Sequence, residues 1–240
     1  MALKQFSLLL FLALNICHVA YSQEFISKGH SFIGGGIDLN FSENSSDSGT
    51  GNETKQNNSL FSFSPYYGKF IKDKLAIGVG LFTSYSNLQS EYLDNSIPTS
   101  NSKRKRTSIG ASFFLRKYYP IGEKLGAFIR PSITYRHGII DEVNNTIDQF
   151  GTESLFRSSE GNDNSLSLGA SLGLYYFIAK RFSLEANLGN VFVSKTFASE
   201  KVMYESNGEI RNQSTDSNNL SFNFVNTLSF DQILVITYFF

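Results

Sequence analysis

The sequence predicts an all-β fold, an eight-stranded, antiparallel, up-and-down barrel. Three observations carry this prediction. First, apolar residues alternate with small or polar ones. Leu75, Ile77, Val79 and Leu81 stand against Ala76, Gly78, Gly80 and Ser84. Second, tight turns at 71–74, 121–124 and 178–181 alternate with long stretches rich in Asn, Ser, Asp, Glu and Gly at 42–58, 87–104, 141–164 and 199–219. Third, no segment has a helical period, and no run of about 18 apolar residues follows the amino terminus.

The first element is an export signal over residues 1–22. Lys4 is its positive start, "FSLLLFLALNICHVA" its apolar centre, and "AYS" before Gln23 a small-x-small cleavage site. The apolar stretch is shorter than the roughly 20 residues a spanning helix needs. The only cysteine, Cys17, lies within it. Ile16 before it is a poor fit to a lipidation site, so the exported chain is expected to carry no disulfide. The remaining residues, 23–240, form one domain.

Strands are expected near 31–41, 60–70, 75–86, 106–119, 124–137, 165–177, 182–196 and 227–240. Three hairpins share one pattern: "YYGKFIKDKLAIGVGLF", "KYYPIGEKLGAFIRPSI" and "LYYFIAKRFSLEANLG". Each has a Tyr-Tyr pair, a turn with a cation, and an alternating run. In 124–137, Leu125, Ala127, Ile129, Ile133 and Tyr135 oppose Gly126, Phe128, Arg130, Ser132, Thr134 and Arg136. In 165–177, Leu166, Leu168, Leu172 and Leu174 oppose Ser167, Gly169, Ser171 and Gly173. In 182–196, Phe182, Leu184, Ala186, Leu188 and Phe192 oppose Ser183, Glu185, Asn187 and Gly189.

Period two alone does not say which face meets water. The polar face decides it, because it is small as well as polar. Gly68, Gly78, Gly80, Gly110, Gly126, Gly169, Gly173 and Gly189 lie on it with many Ser. Gly weakens a water-facing strand, yet it suits the crowded interior of an eight-strand barrel. Short turns on one rim and long polar loops on the other match the periplasmic and extracellular ends of an outer-membrane barrel. The apolar face then meets lipid, and the Tyr pairs at 66–67, 118–119 and 175–176 stand at the short-turn rim. A soluble barrel with the apolar face inside is the competing arrangement.

The chain ends "QILVITYFF", with Phe240 last and Tyr238 two before it. With this ending, the whole mature chain resembles the small outer-membrane β-barrels of Gram-negative bacteria, of the OmpA/OmpX/OmpW-like kind. The resemblance implies a transmembrane barrel with short periplasmic turns and long extracellular loops. It also implies that Tyr238 and Phe240 form the signal read by the barrel-assembly machinery. Family members often have Gly six from the end, where this chain has Val235.

With the Leu/Ile face outward, Asp38, Arg116, Arg130, Arg136, Glu185 and Asp231 point inward. The opposite phase would put arginines against lipid, at about 2–4 kcal/mol each near the midplane. Three acids and three arginines in a narrow lumen form a network that plugs the barrel; the alternative is a gated conduit for small solutes. The role expected is structural or surface-interacting, with oligomeric state open.

Other motifs carry less. Lys103, Lys105, Arg104 and Arg106 open the fourth strand and could pair with lipopolysaccharide phosphates at the outer rim. His30 precedes the first strand. The resemblance also admits a lipid-modifying enzyme, in which His137 with Asp141 or Glu142 and Ser158 would act. No defining motif supports it, and no catalytic residue, cofactor or metal ligand is assigned. "GNDNS" at 161–165 lacks a calcium-loop pattern. A formal net charge of zero and the absence of a basic stripe argue against nucleic-acid binding.

Overall fold

Nearly every described residue hydrogen-bonds in a β-ladder, as the alternation demands. The structure, a computed structural model, describes residues 22–47, 52–94, 97–147, 153–206, 209–225 and 235–240. The predicted signal, apart from Ser22, and Asp231 lie outside them. Among the described residues a short 3-10 helix, Ser22–Ile26, precedes nine strands. These are β1 (Ser31–Asp47), β2 (Asn52–Lys72), β3 (Leu75–Asp94), β4 (Ile97–Pro120), β5 (Leu125–Ile147), β6 (Glu153–Ala179), β7 (Phe182–Ser206), β8 (Glu209–Val225) and β9 (Val235–Phe239).

Nine strands make eight staves. Each of β1 to β6 pairs antiparallel with the next in the chain. β8 continues along β7 from Asn190 to Ser206, while β9 pairs with its other end, Phe182–Glu185. β8 and β9 are therefore two parts of one eighth stave. β9 also pairs with Phe32–Gly36 of β1, which closes the ring. At the seam Ser31 N–H donates to the Phe240 carbonyl at 2.7 Å, and Phe240 N–H donates back at 2.8 Å.

The expected eighth strand, 227–240, is strand over Val235–Phe239; residues 227–234 lie outside the described residues, and β8 forms a further part of the same stave. One expectation needs correction. Where they are described, the four long polar stretches are paired strands rather than loops. Ser42–Asp47 pairs residue by residue with Asn58–Glu53, and Ser100–Lys105 pairs in the same way with Thr146–Asp141. β6 reaches 27 residues, where about 9–11 suffice to cross a bilayer. The extra length stands as hairpins beyond the exposed apolar surface. Their strands carry little apolar contrast between the two faces, so the period-two signal is faint, and backbone pairing holds them extended.

The faces divide as the alternation predicts. On β4, Ile109, Phe113, Leu115 and Tyr119 point outward and are 41–62% exposed, while Phe114, Arg116 and Tyr118 point inward and are at most 2% exposed. Ile129 and Ile133 of β5 and Leu168 and Leu172 of β6 continue this exposed apolar surface around the barrel. From Tyr119 to Ile109 it is about 25 Å tall for a strand tilted by about 40°. The Tyr pairs split accordingly. Tyr66, Tyr118 and Tyr175 are buried inside, and Tyr67 and Tyr119 stay exposed outside. Only the second of each pair is thus a rim residue, because neighbours on a strand cannot share a face.

Phe192 departs from its expected outward position. Leu172 pairs with Gly189 and Gly173 with Asn187, so Leu188 is an extra residue in β7. This bulge reverses the phase beyond it. Phe192 now lines the lumen beside Asn190, Ser194 and Thr196.

Inside, glycines seat rings. Phe32 lies opposite Gly68, Phe114 opposite Gly78, Phe82 opposite Gly110, Tyr175 opposite Gly126 and Phe128 opposite Gly173. A Cβ at any of these glycines would come within 2.2–2.4 Å of the facing ring. The missing side chain is the seat, which explains the small polar face more sharply than crowding does. At the short-turn end Phe32, Phe70, Tyr118, Tyr175, Phe177 and Phe239 are all at most 1% exposed. Ile26 of the 3-10 helix, 2% exposed, joins them, and its carbonyl accepts the Lys74 N–H at 2.9 Å.

Replacing Gly68 with Val is expected to destabilise the folded barrel by roughly 1–3 kcal/mol, because its Cβ would overlap the Phe32 ring. Gly122→Ala, where a Cβ meets nothing within 4 Å, should be near neutral. Urea titrations of the refolded barrel, followed by its gel mobility without boiling, would check the contrast.

Candidate functional site in the barrel interior

The inward charges form separate centres along the lumen. The lower one joins β4 to β7 across the barrel. Arg116 Nη1 donates to Glu185 Oε1 at 2.9 Å and to the Tyr118 hydroxyl at 3.0 Å. Glu185 Oε1 also accepts from Thr237 Oγ1 at 2.8 Å, and Oε2 accepts from the Tyr66 hydroxyl at 3.0 Å. The two hydroxyls also lie 2.5 Å apart. Arg116 is wholly buried, and Glu185 is 3% exposed.

Rings complete this cage. The Arg116 guanidinium carbon lies 4.2 Å from the Phe128 centroid and 5.1 Å from that of Tyr66, with Phe32, Phe114 and Tyr118 within 5.8 Å. Such a charge is tolerated because its partner, its hydrogen bonds and the ring faces all replace lost water. The site therefore ties β2, β4, β7 and β9 together, including the strand that closes the ring.

The upper centre holds Asp163 between two arginines. Arg106 Nη2 reaches its Oδ2 at 2.6 Å, and Arg136 Nη2 reaches the same oxygen at 3.2 Å. Between the centres stands Arg130. Its Nε donates to Ser171 Oγ at 3.2 Å, and its guanidinium lies 5.8 Å from the Phe114 centroid.

The predicted lumen set is thus divided. Arg116 and Glu185 meet, while Arg130 and Arg136 lie apart from them. Asp38 faces inward opposite Ser62 and makes no ion pair among the described residues. Sequence reading missed Asp163, Tyr66 and Thr237. Asp163 sits in "GNDNS", taken as loop; carrying the alternation of 165–177 back by two residues points it inward. Tyr66 and Thr237 gave only a period-two signal.

The basic run also divides. Lys103 and Lys105 face outward just above the exposed apolar surface. Arg104 and Arg106 face inward: Arg104 pairs with Glu142 at 3.7 Å, and Arg106 belongs to Asp163. The expectation that all four cations stand on the outer rim is corrected for these two arginines, since alternate residues on a strand point to opposite faces.

His137 bonds through Nδ1 to Asn164 Oδ1 at 3.0 Å, an oxygen that also accepts from the Tyr135 hydroxyl. Glu142 is engaged by Arg104 and Asn144, and Ser158 pairs opposite Val143. The arrangement does not bring His137, an acid and Ser158 into a relay. His30 bonds through Nδ1 at 3.0 Å to Ser27 Oγ near the short-turn end. Among the described residues no three His, Cys, Asp or Glu side chains cluster for a metal. Tyr238 and Phe240 stack on the outer face with centroids 5.9 Å apart, and Tyr238 also meets Phe182 at 4.9 Å.

Arg116→Met is expected to destabilise the barrel by roughly 3–5 kcal/mol, because it strands a buried carboxylate. Arg106→Gln should cost only about 1 kcal/mol, since Arg136 still holds Asp163 and Arg106 is partly exposed. Urea midpoints of the two variants in one lipid or detergent would test this ranking.

No family model matches the chain, and no curated protein matches it. Among solved structures it is similar to the outer membrane protein OprG from Pseudomonas aeruginosa, with TM-score 0.41 and 16% identity over 89% of this chain and 97% of that one. It is similar to a major outer membrane protein from Thermus thermophilus, with TM-score 0.45 and 12% identity over 88% of this chain and 100% of that one. It is also similar to the ferric yersiniabactin uptake receptor FyuA from Yersinia pestis, with TM-score 0.41 and 9% identity over 71% of this chain. The matched part spans 25% of that receptor. These likenesses are of fold alone.

Proposed function

We propose that this chain is an integral outer-membrane barrel with a structural or surface-interacting role. On this reading it is a plugged scaffold that holds four polar hairpins above the membrane. The observation that carries the reading is the exposed apolar surface. Large side chains such as Ile37, Leu39, Leu81, Ile109, Ile133 and Leu168 stand 49–63% exposed around the ring. A surface of this extent is unfavourable in water and favourable in hydrocarbon. With β9 paired to both β1 and β7, the ladder runs unbroken around the ring at that level, as hydrocarbon requires of a crossing backbone.

The plug rests on the buried rings at the short-turn end and on the Arg116–Glu185 cage above them. Lys103 and Lys105, just beyond the apolar surface, sit at a height suited to lipopolysaccharide phosphates. Tyr238 and Phe240, outward on the closing strand, are available as a signal for the barrel-assembly machinery. A narrow conduit is the second reading, favoured by two cavities above the buried rings, of about 400 and 270 Å³.

Outer membranes from an expressing cell should contain the protein, and its gel band should shift between unboiled and boiled samples. A soluble periplasmic protein with no shift would defeat the reading. In planar bilayers the wild type and Arg130→Ala are both expected to give no unitary currents; steady openings in the wild type would favour the conduit.

A further inference from the structure

β5 lines the middle of the lumen with Arg130, Ser132, Thr134 and Arg136 at consecutive inward positions. These residues bound the cavity of about 400 Å³, and Arg130 also lines its neighbour of about 270 Å³. The charges around this chamber are unequally matched. Glu185, the one acid on either wall among the described residues, is occupied by Arg116, Thr237 and Tyr66. Asp163 is shared by Arg106 and Arg136. Arg130 meets only a serine hydroxyl and a ring among the described residues. Asp38 turns inward but lines neither cavity.

A guanidinium in a narrow protein interior is costly without an anion. Its planar fork suits a carboxylate, which it binds through two parallel hydrogen bonds. The other walls are mixed. Ser132, Thr134, Ser167 and Ser194 offer hydroxyls, and Phe82 and Phe192 offer ring surface. Phe192 is there only because the Leu188 bulge turns it inward.

We propose that this chamber binds a small organic carboxylate, with Arg130 holding the carboxylate and Phe82 and Phe192 flanking the apolar part. The hydroxyls of the wall would take any further polar group. The site is built within the lumen and requires no passage through the buried rings below, so it holds whether or not the barrel conducts.

The test is calorimetric titration of the refolded full-length barrel in an uncharged maltoside detergent at low salt. Sodium benzoate is the probe, benzamide its neutral match, and inorganic phosphate a compact anion. Benzoate should bind at one site, and benzamide should not. Arg130→Gln should weaken benzoate roughly ten- to hundredfold, the size of a charge-assisted pair. Ser132→Leu, which fills the chamber and keeps the charge, should also abolish binding, and it preserves the test if Arg130→Gln fails to fold. Folding of each variant is read from its unboiled gel mobility. No benzoate binding up to about 10 mM, a range far weaker than specific charge-paired sites, would overturn the proposal. So would equal binding of benzamide, unchanged binding by Arg130→Gln, or binding of phosphate alone.

Discussion

The interior of an eight-stave ring is only wide enough for side chains to fill it, and the rest of this molecule follows from that limit. Each inward position must match what faces it. Five rings therefore stand on five directly opposed glycines. The arginine that reaches the centre meets a carboxylate, a hydroxyl and several ring faces rather than water. The outward positions face no such limit, and they carry Leu, Ile, Phe and Tyr.

The same limit explains how β9 closes the barrel. β9 pairs with β1 on one side and with β7 on the other. Its inward side chains add to that pairing. Thr237 joins the Glu185 cage, and Phe239 packs among Phe32, Phe70 and Phe177. The lower lumen is thus both the tightest part of the barrel and its clasp. Higher up the packing loosens into cavities, and there the arginines outnumber the acids that face them.

Much of this was legible in the sequence wherever one face of a strand is apolar. The phase of β3 to β6, the short turns, and the inward direction of Arg116, Arg130, Arg136 and Glu185 all follow from period two. Legibility failed where that contrast disappears. Beyond the apolar surface both faces of the strands are polar, so Asn- and Ser-rich strands read as loops, Asp163 among them. The Leu188 bulge changes phase by one residue and leaves no trace in composition, so alternation alone puts Phe192 outside. The meeting of Arg116 with Glu185 depends on the stagger between distant strands, which alternation within each strand does not encode.

The division between a lipid-facing and a lumen-facing surface is tested most directly by single cysteines along β4. Cys17 is the only native cysteine, so Cys17→Ser gives a clean background. Spin labels placed in turn at residues 109 to 115, in vesicles, would report collision with oxygen, which concentrates in lipid, and with a water-soluble nickel chelate. Labels at 109, 111, 113 and 115 should favour oxygen, and those at 110, 112 and 114 should be shielded from it. Nickel access at the odd positions, with the even ones buried in an apolar core, would contradict a membrane barrel.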